Sequence, residues 1–184
     1  MAEGTPAWGV ATGPDSLKEV VYTESELERR VQELGEAITG FYSDGKELLV
    51  LGLLKGSFIF LADLVRRIRR PLHVDFLVAS SYGDGKVSSG EVRLLYDPNT
   101  RLRGRHVVLV EDVVDTGATM DRLIPLLQER GAESLEICAL LHKRLTALEK
   151  EPRWVGFDAP DEFLVGYGLD HAENYRHLPY VASL

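Results

Sequence analysis

One cysteine stands among 184 residues. No internal disulfide can form, and Cys138 sits inside the apolar run Leu135 to Leu141, where it reads as a small core hydrophobe. No apolar run approaches the roughly 20 residues of a membrane span. The opening Met1-Ala2-Glu3-Gly4-Thr5-Pro6 lacks the basic and apolar regions of a signal peptide. These features fit a reducing cytoplasm. Positive charge is also scarce: 21 Lys and Arg face 29 Asp and Glu, for a net charge of −8. That balance argues against a sequence-independent nucleic-acid binder, which needs a basic footprint. An anionic ligand must therefore be met locally, by backbone amides, a metal ion and a few placed cations. The five histidines show no metal-ligand spacing, and His142 reads as structural or surface.

Apolar residues make up 45% of the chain and charged residues 27%, ordinary values for a globular protein. The length suits one domain, over residues 18 to 184, with a sizeable core. Residues 1 to about 17 are rich in Gly, Pro and small side chains and are expected to be a poorly ordered tail. Thr23-Glu24-Ser25-Glu26 is a capping-box pattern, and Leu27, Val31, Leu34, Ile38 and Phe41 follow at helical spacing. A helix is expected over 24–42. Leu48 to Leu54 reads as a buried strand. Gly56-Ser57 opens a helix that Pro71 ends, and Leu72 to Ala79 is the next strand. Residues 80–90 are the most loop-like internal stretch, followed by strands at Val92 to Tyr96 and Val107 to Val110. A helix then runs to Arg130, with Gly131 just past its end and Pro125 inside it, where it should cause a bend. Strands at Leu135 to Leu141, Trp154 to Phe157 and Phe163 to Val165 finish the core. Alternating strands and helices predict an α/β fold with a mostly parallel sheet covered on both faces. Ligands of such sheets bind at the carboxyl ends of the strands. Lys55-Gly56, Ser81-Tyr82, Glu111 to Thr119 and Lys143 all follow strands, so they should converge on one crevice.

The most informative stretch is residues 107–119, Val-Val-Leu-Val-Glu-Asp-Val-Val-Asp-Thr-Gly-Ala-Thr. A buried strand leads to Glu111 and Asp112, then to the turn Asp115-Thr116-Gly117-Ala118-Thr119 and a helix N-terminus. Backbone amides, two hydroxyls and the positive end of a helix dipole suit a phosphate. The carboxylates suit hydroxyls or a hydrated magnesium ion. Three acids within so few residues repel one another unless cations or donors compensate. Phosphate and diol together imply a sugar phosphate.

Four ordered segments resemble the purine phosphoribosyltransferases, in particular their hypoxanthine(-guanine) group. They are residues 53–57 (LLKGS), residues 80–83 (SSYG), residues 107–119, and residues 163–170 (FLVGYGLD) with residues 175–180 (YRHLPY). The resemblance implies a Rossmann-like core with a small hood formed by terminal segments. It implies transfer of phosphoribosyl from phosphoribosyl pyrophosphate to hypoxanthine or guanine, with Mg²⁺, in a homodimer or homotetramer. Glu111 and Asp112 would hold the ribose hydroxyls, and residues 115–119 the 5′-phosphate. Asp115 would be the general base near purine N7. Lys143 would donate to the purine O6, Phe163 would stack on the base, and the Leu164 backbone would meet the purine edge. Lysine only donates, so it favours a 6-oxo group over the 6-amino group of adenine. Asp170 would link to magnesium, as would Glu111 and Asp112. Lys55, Gly56 and Arg176 would hold pyrophosphate, with a cis peptide expected at Leu54–Lys55. Ser81 and Tyr82 would tip a lid that excludes water from the reacting ribose.

Two competing readings are an RNA-binding regulator built on the same fold and a phosphoribosyltransferase for another base. The regulator would need a basic face, which the charge disfavours, and would not need Phe163, Asp170 and Arg176 in the purine pattern.

Overall fold

A computed structural model describes residues 17–42, 45–81, 92–96, 100–145 and 148–184. The expectation of a loose tail over residues 1–17 falls, Leu17 apart, outside them. So does most of the lid expectation, Tyr82 included.

The main sheet has six strands in the order β4-β3-β2-β5-β6-β7. These are β2 (Leu48–Leu54), β3 (Leu72–Ser81), β4 (Val92–Tyr96), β5 (His106–Val114), β6 (Ser134–His142) and β7 (Trp154–Asp158). β3, β2, β5, β6 and β7 run parallel, and β4 closes one edge antiparallel to β3. Parallel strands need crossovers and are buried on both faces, which is why they read as unbroken apolar runs. The core is accordingly split by the sheet. Val108 and Val110 pack on one side with helices α1 (Glu24–Phe41) and α2 (Phe58–Val65). Val107 and Leu109 pack on the other with α3 (Ala118–Gln128).

A second, three-stranded antiparallel sheet, β1-β9-β8, is formed by β1 (Val20–Tyr22), β8 (Leu164–Val165) and β9 (Val181–Ser183). It is the hood of terminal segments that the resemblance implied. β1 and β9, three residues each, carry too little pattern to be read from the sequence.

The capping box is present: Glu26 N–H donates to Thr23 Oγ1 at 3.4 Å, and Thr23 N–H donates to Glu26 Oε2 at 2.9 Å. α2 ends at Val65, short of Pro71, although Ile68 is buried as the helical pattern required. α3 ends at Gln128, and Gly131, with φ 79°, takes the left-handed position beyond it. Pro125 does lie inside α3.

The largest departure from expectation is β5. It does not stop at Val110 but runs through both carboxylates to Val114. Continued pairing with β6, Glu111 with Ala139 and Val113 with Leu141, holds it extended.

Candidate active site

Because Glu111 and Asp112 lie inside a strand, their side chains leave on opposite faces. Asp112 follows Val108 and Val110 toward α2. It lines an open crevice of about 510 Å³ with Lys55, Gly56, Asp115, Lys143, Phe163, Leu164, Asp170 and Arg176. Glu111 instead lines a pocket of about 80 Å³ against the turn 115–119 and Met120. The expected pair of adjacent carboxylates is thus two acids straddling the end of β5.

Burial dominates both. It pushes the Asp112 carboxyl up to about 6, against hydrogen bonds from the backbone amides of Asp112 and Val113 and the charge of Arg176. The Glu111 carboxyl is raised well above its ordinary value by burial and, secondarily, by Asp112. Its Oε2 is buried without a hydrogen-bond partner. Buried polar atoms without partners are uncommon and costly.

The loop Lys55-Gly56 fits tightly around Asp112. The Leu54–Lys55 peptide is cis, as the resemblance implied. A Cβ on Gly56 would lie 1.8 Å from Asp112 Oδ2, so only glycine lets the loop close over that carboxylate. On its other side, a Cβ on Gly168 would lie 2.1 Å from the Gly56 carbonyl oxygen. Gly168 has φ 104°, which L side chains rarely adopt. Tyr167, between Gly166 and Gly168, donates its hydroxyl to Asp63 Oδ2 at 2.7 Å and so ties this segment to α2. The sequence reading did not single out Asp63. Its only signal is its place on the helix that follows Lys55-Gly56.

The turn 115–119 caps α3. Gly117 is the N-cap residue, at φ 76°, and Leu148 packs where its Cβ would stand. Asp115, Thr116 and Ala118 are exposed and Thr119 is half-buried, so the turn faces outward beneath free helix amides.

The cations demanded by the acid cluster are present. Lys143, at the end of β6, brings Nζ to 3.7 Å from Asp115 Oδ2. Arg176 Nη2 lies 2.8 Å from Asp170 Oδ1, and its Nη1 donates to the Gly168 carbonyl at 2.8 Å. Phe163 is 54% exposed at the crevice mouth, meeting His171 edge-on at 5.2 Å, so it is not a core aromatic. Leu164 is buried, and its backbone pairs with β9 at Ser183. His142, expected to be structural or at the surface, is buried next to Lys143. Ser81 ends β3.

Among the described residues no three His, Cys, Asp or Glu side chains converge on one point. Glu111, Asp112 and Asp170 are therefore not a preassembled metal cage. β5 separates the first two, and Asp170 is held by Arg176. Asp170 is near enough to raise the Asp112 pKa through its charge. A hydrated Mg²⁺, which takes one or two carboxylates and fills its shell with water and phosphate oxygens, fits this set.

Residues 23–172 match the phosphoribosyl transferase domain family. A hypoxanthine-guanine phosphoribosyltransferase of Dictyostelium discoideum is 45% identical over 171 residues, 91% of this chain and 95% of the relative. A hypoxanthine phosphoribosyltransferase of Salmonella typhimurium is 46% identical over 168 residues, 90% and 94% of the two chains. A crystal structure of the Staphylococcus aureus hypoxanthine phosphoribosyltransferase superposes with a TM-score of 0.85 at 44% identity, covering 91% of each chain. With this crevice at the carboxyl ends of a parallel sheet, and with these relatives, the chain belongs to the phosphoribosyltransferase family, in its hypoxanthine(-guanine) branch.

Proposed function

We infer that the protein is a purine salvage enzyme. It transfers the 5-phosphoribosyl group of phosphoribosyl pyrophosphate to hypoxanthine or guanine, releasing pyrophosphate. The observation that carries this is the convergence on one crevice of Asp112, Asp115, Lys143, Phe163, Asp170, Arg176 and Lys55. Those residues supply contacts for a diol, a purine and a pyrophosphate, and the turn 115–119 beside them supplies a phosphate cradle.

The purine lies against Phe163, with its O6 toward Lys143 and its edge along the Leu164 backbone. Glu111 and Asp112 receive the ribose from the two sides of β5, and Thr116 to Thr119 hold the 5′-phosphate. The C1′–O bond to pyrophosphate breaks and a C1′–N9 bond forms, while the proton on N7 passes to Asp115. Lys143, with Nζ 3.7 Å from Asp115 Oδ2, reads the 6-oxo group. Lys55, Gly56 and Arg176 hold the leaving pyrophosphate. Asp170 and Asp112, which line the same crevice, would hold Mg²⁺, whose charge offsets that of the pyrophosphate; Glu111, expected from the resemblance as a third ligand, lines the pocket on the other side of β5 and does not join them. Ser81 and Tyr82 are proposed to close over the site and keep water from the ribose cation.

The chain acts as one domain from residue 18 on, and a homodimer or homotetramer is proposed. Val74 and Phe76 support that assembly. They are two large apolar side chains, 41% and 36% exposed, on the face of β3 beside α2. No helix among the described residues is long and apolar enough to cross a membrane. The one free, buried cysteine supports a cytoplasmic setting.

An absorbance assay with hypoxanthine, phosphoribosyl pyrophosphate and Mg²⁺ tests the reading, and absence of nucleotide product rejects it. Lys143→Gln should lower kcat/KM for hypoxanthine about ten- to a hundredfold, the range for losing a charged hydrogen bond. It should also narrow the preference over adenine. Comparable wild-type turnover of adenine would refute the role given to Lys143. Phe163→Ala should raise KM for the base about five- to tenfold with little change in kcat, because a stacking platform binds substrate and transition state alike. The melting temperature should barely move, since the ring is mostly exposed.

A further inference from the structure

Glu173 belongs to no motif noted in the sequence, yet it sits on both cations of the pyrophosphate side. Lys55 Nζ donates to its Oε1 at 2.8 Å, and Arg176 Nη2 lies 3.3 Å from its Oε2. One carboxylate thus bridges the two groups, one oxygen to each.

Its presentation is built into the backbone. His171 and Asn174 exchange backbone hydrogen bonds of 3.2 and 3.0 Å around a two-residue turn, Ala172-Glu173. Both turn residues are left-handed, with φ 49° and 64°. A turn with two positive φ values favours Asn-Gly, and a non-glycine residue there costs free energy that the surroundings must hold. The Glu173 amide donates to Asp170 Oδ2 at 2.9 Å, which fixes the turn against the other acid of this side. Arg176 cannot swing away, because its Nη1 is engaged by the Gly168 carbonyl. The pair partners Lys55 and Glu173 are each 66% exposed, so the bridge is weak and within reach of a competing anion.

We propose that Glu173 is an internal competitor for pyrophosphate, which the substrate must displace from Lys55 and Arg176 and which returns as pyrophosphate leaves. It sets the affinity of the leaving-group side and speeds product release. This rests on the reading of Lys55 and Arg176 as pyrophosphate contacts.

The test compares wild type with Glu173→Gln and Glu173→Ala. It measures pyrophosphate binding by calorimetry with Mg²⁺ present, pyrophosphate product inhibition, and KM for each substrate. One exposed ion pair and one whose arginine is 19% exposed predict a threefold to tenfold tightening of pyrophosphate in both variants. KM for phosphoribosyl pyrophosphate should fall in parallel, KM for hypoxanthine should stay constant, and kcat should not rise. A merely structural pair would move the melting temperature or both KM values together. Unchanged or weaker pyrophosphate binding in both variants, with the wild type turning over hypoxanthine, overturns this inference alone. No turnover by the wild type overturns the reading beneath it.

Discussion

Asp112→Asn is expected to make the protein more stable at neutral pH while removing most of its activity. Burial first of all lifts the Asp112 carboxyl from 3.8 to about 6. A raised acid pKa means that the folded state holds the proton more tightly than the unfolded state. The associated stability is complete below about pH 4 and is lost as pH rises through about 6, where the buried carboxyl must ionise. At pH 8 that loss amounts to about 3 kcal/mol, an order-of-magnitude figure from a two-unit shift. Asparagine has nearly the same shape and cannot ionise. Denaturant titrations should therefore show the variant more stable by up to about 3 kcal/mol at pH 8 and no different near pH 4. Losing a charged acceptor for the ribose diol should cost about a hundredfold in kcat/KM for phosphoribosyl pyrophosphate. A variant equally stable at both pH values would show that Asp112 ionises freely. The result expected is a trade of stability for function, with a carboxylate kept where it is costly to serve the diol contact proposed for it.

Gly168→Ala is expected to disable the site without changing any side chain proposed to contact substrate. The added Cβ meets the Gly56 carbonyl oxygen at 2.1 Å, a backbone atom that no rotamer change can move aside. The new residue would also have to adopt φ 104°. Overpacking and a forbidden backbone angle together cost about 2–5 kcal/mol. The Lys55-Gly56 loop must shift away, carrying Lys55 and exposing Asp112. kcat/KM for phosphoribosyl pyrophosphate should drop at least about a hundredfold, because misplacing a reacting group by an ångström suffices for that. KM for hypoxanthine, read by Lys143 and Phe163, should change much less. Wild-type kinetics in this variant would show that the two loops are not in register.

Much of the fold was legible because buried parallel strands leave continuous apolar runs. Leu48 to Leu54 begins and ends where the pattern puts it, and so does Val92 to Tyr96, although that strand is the antiparallel edge. The capping box at Thr23 located α1 to within a residue. β5 was misjudged because charge looks like a strand end. Pairing with β6 overrides that local signal and carries the strand past Glu111 and Asp112. Element ends elsewhere moved by one or two residues, and α2 ended several residues before its apolar pattern did.

The sequence alone determined the chemistry of the site. Three acids in so short a stretch call for cations or donors to compensate them, and the hydroxyl- and glycine-bearing turn at a helix N-terminus suits a phosphate. Lysine can only donate to its base, and the near absence of cysteine and the net charge of −8 exclude whole classes of alternative. Tertiary structure decided how those groups face. A strand sends neighbours to opposite faces, so Glu111 and Asp112 act from two sides. Burial, which depends on everything packed around a carboxyl, raised their pKa values. Close approach left no room for a Cβ at Gly168, against the Gly56 carbonyl, or at Gly56, against the Asp112 carboxylate. Glu173 gained its position from a turn that brings it to a lysine 118 residues away in the chain, a proximity that residue spacing does not encode.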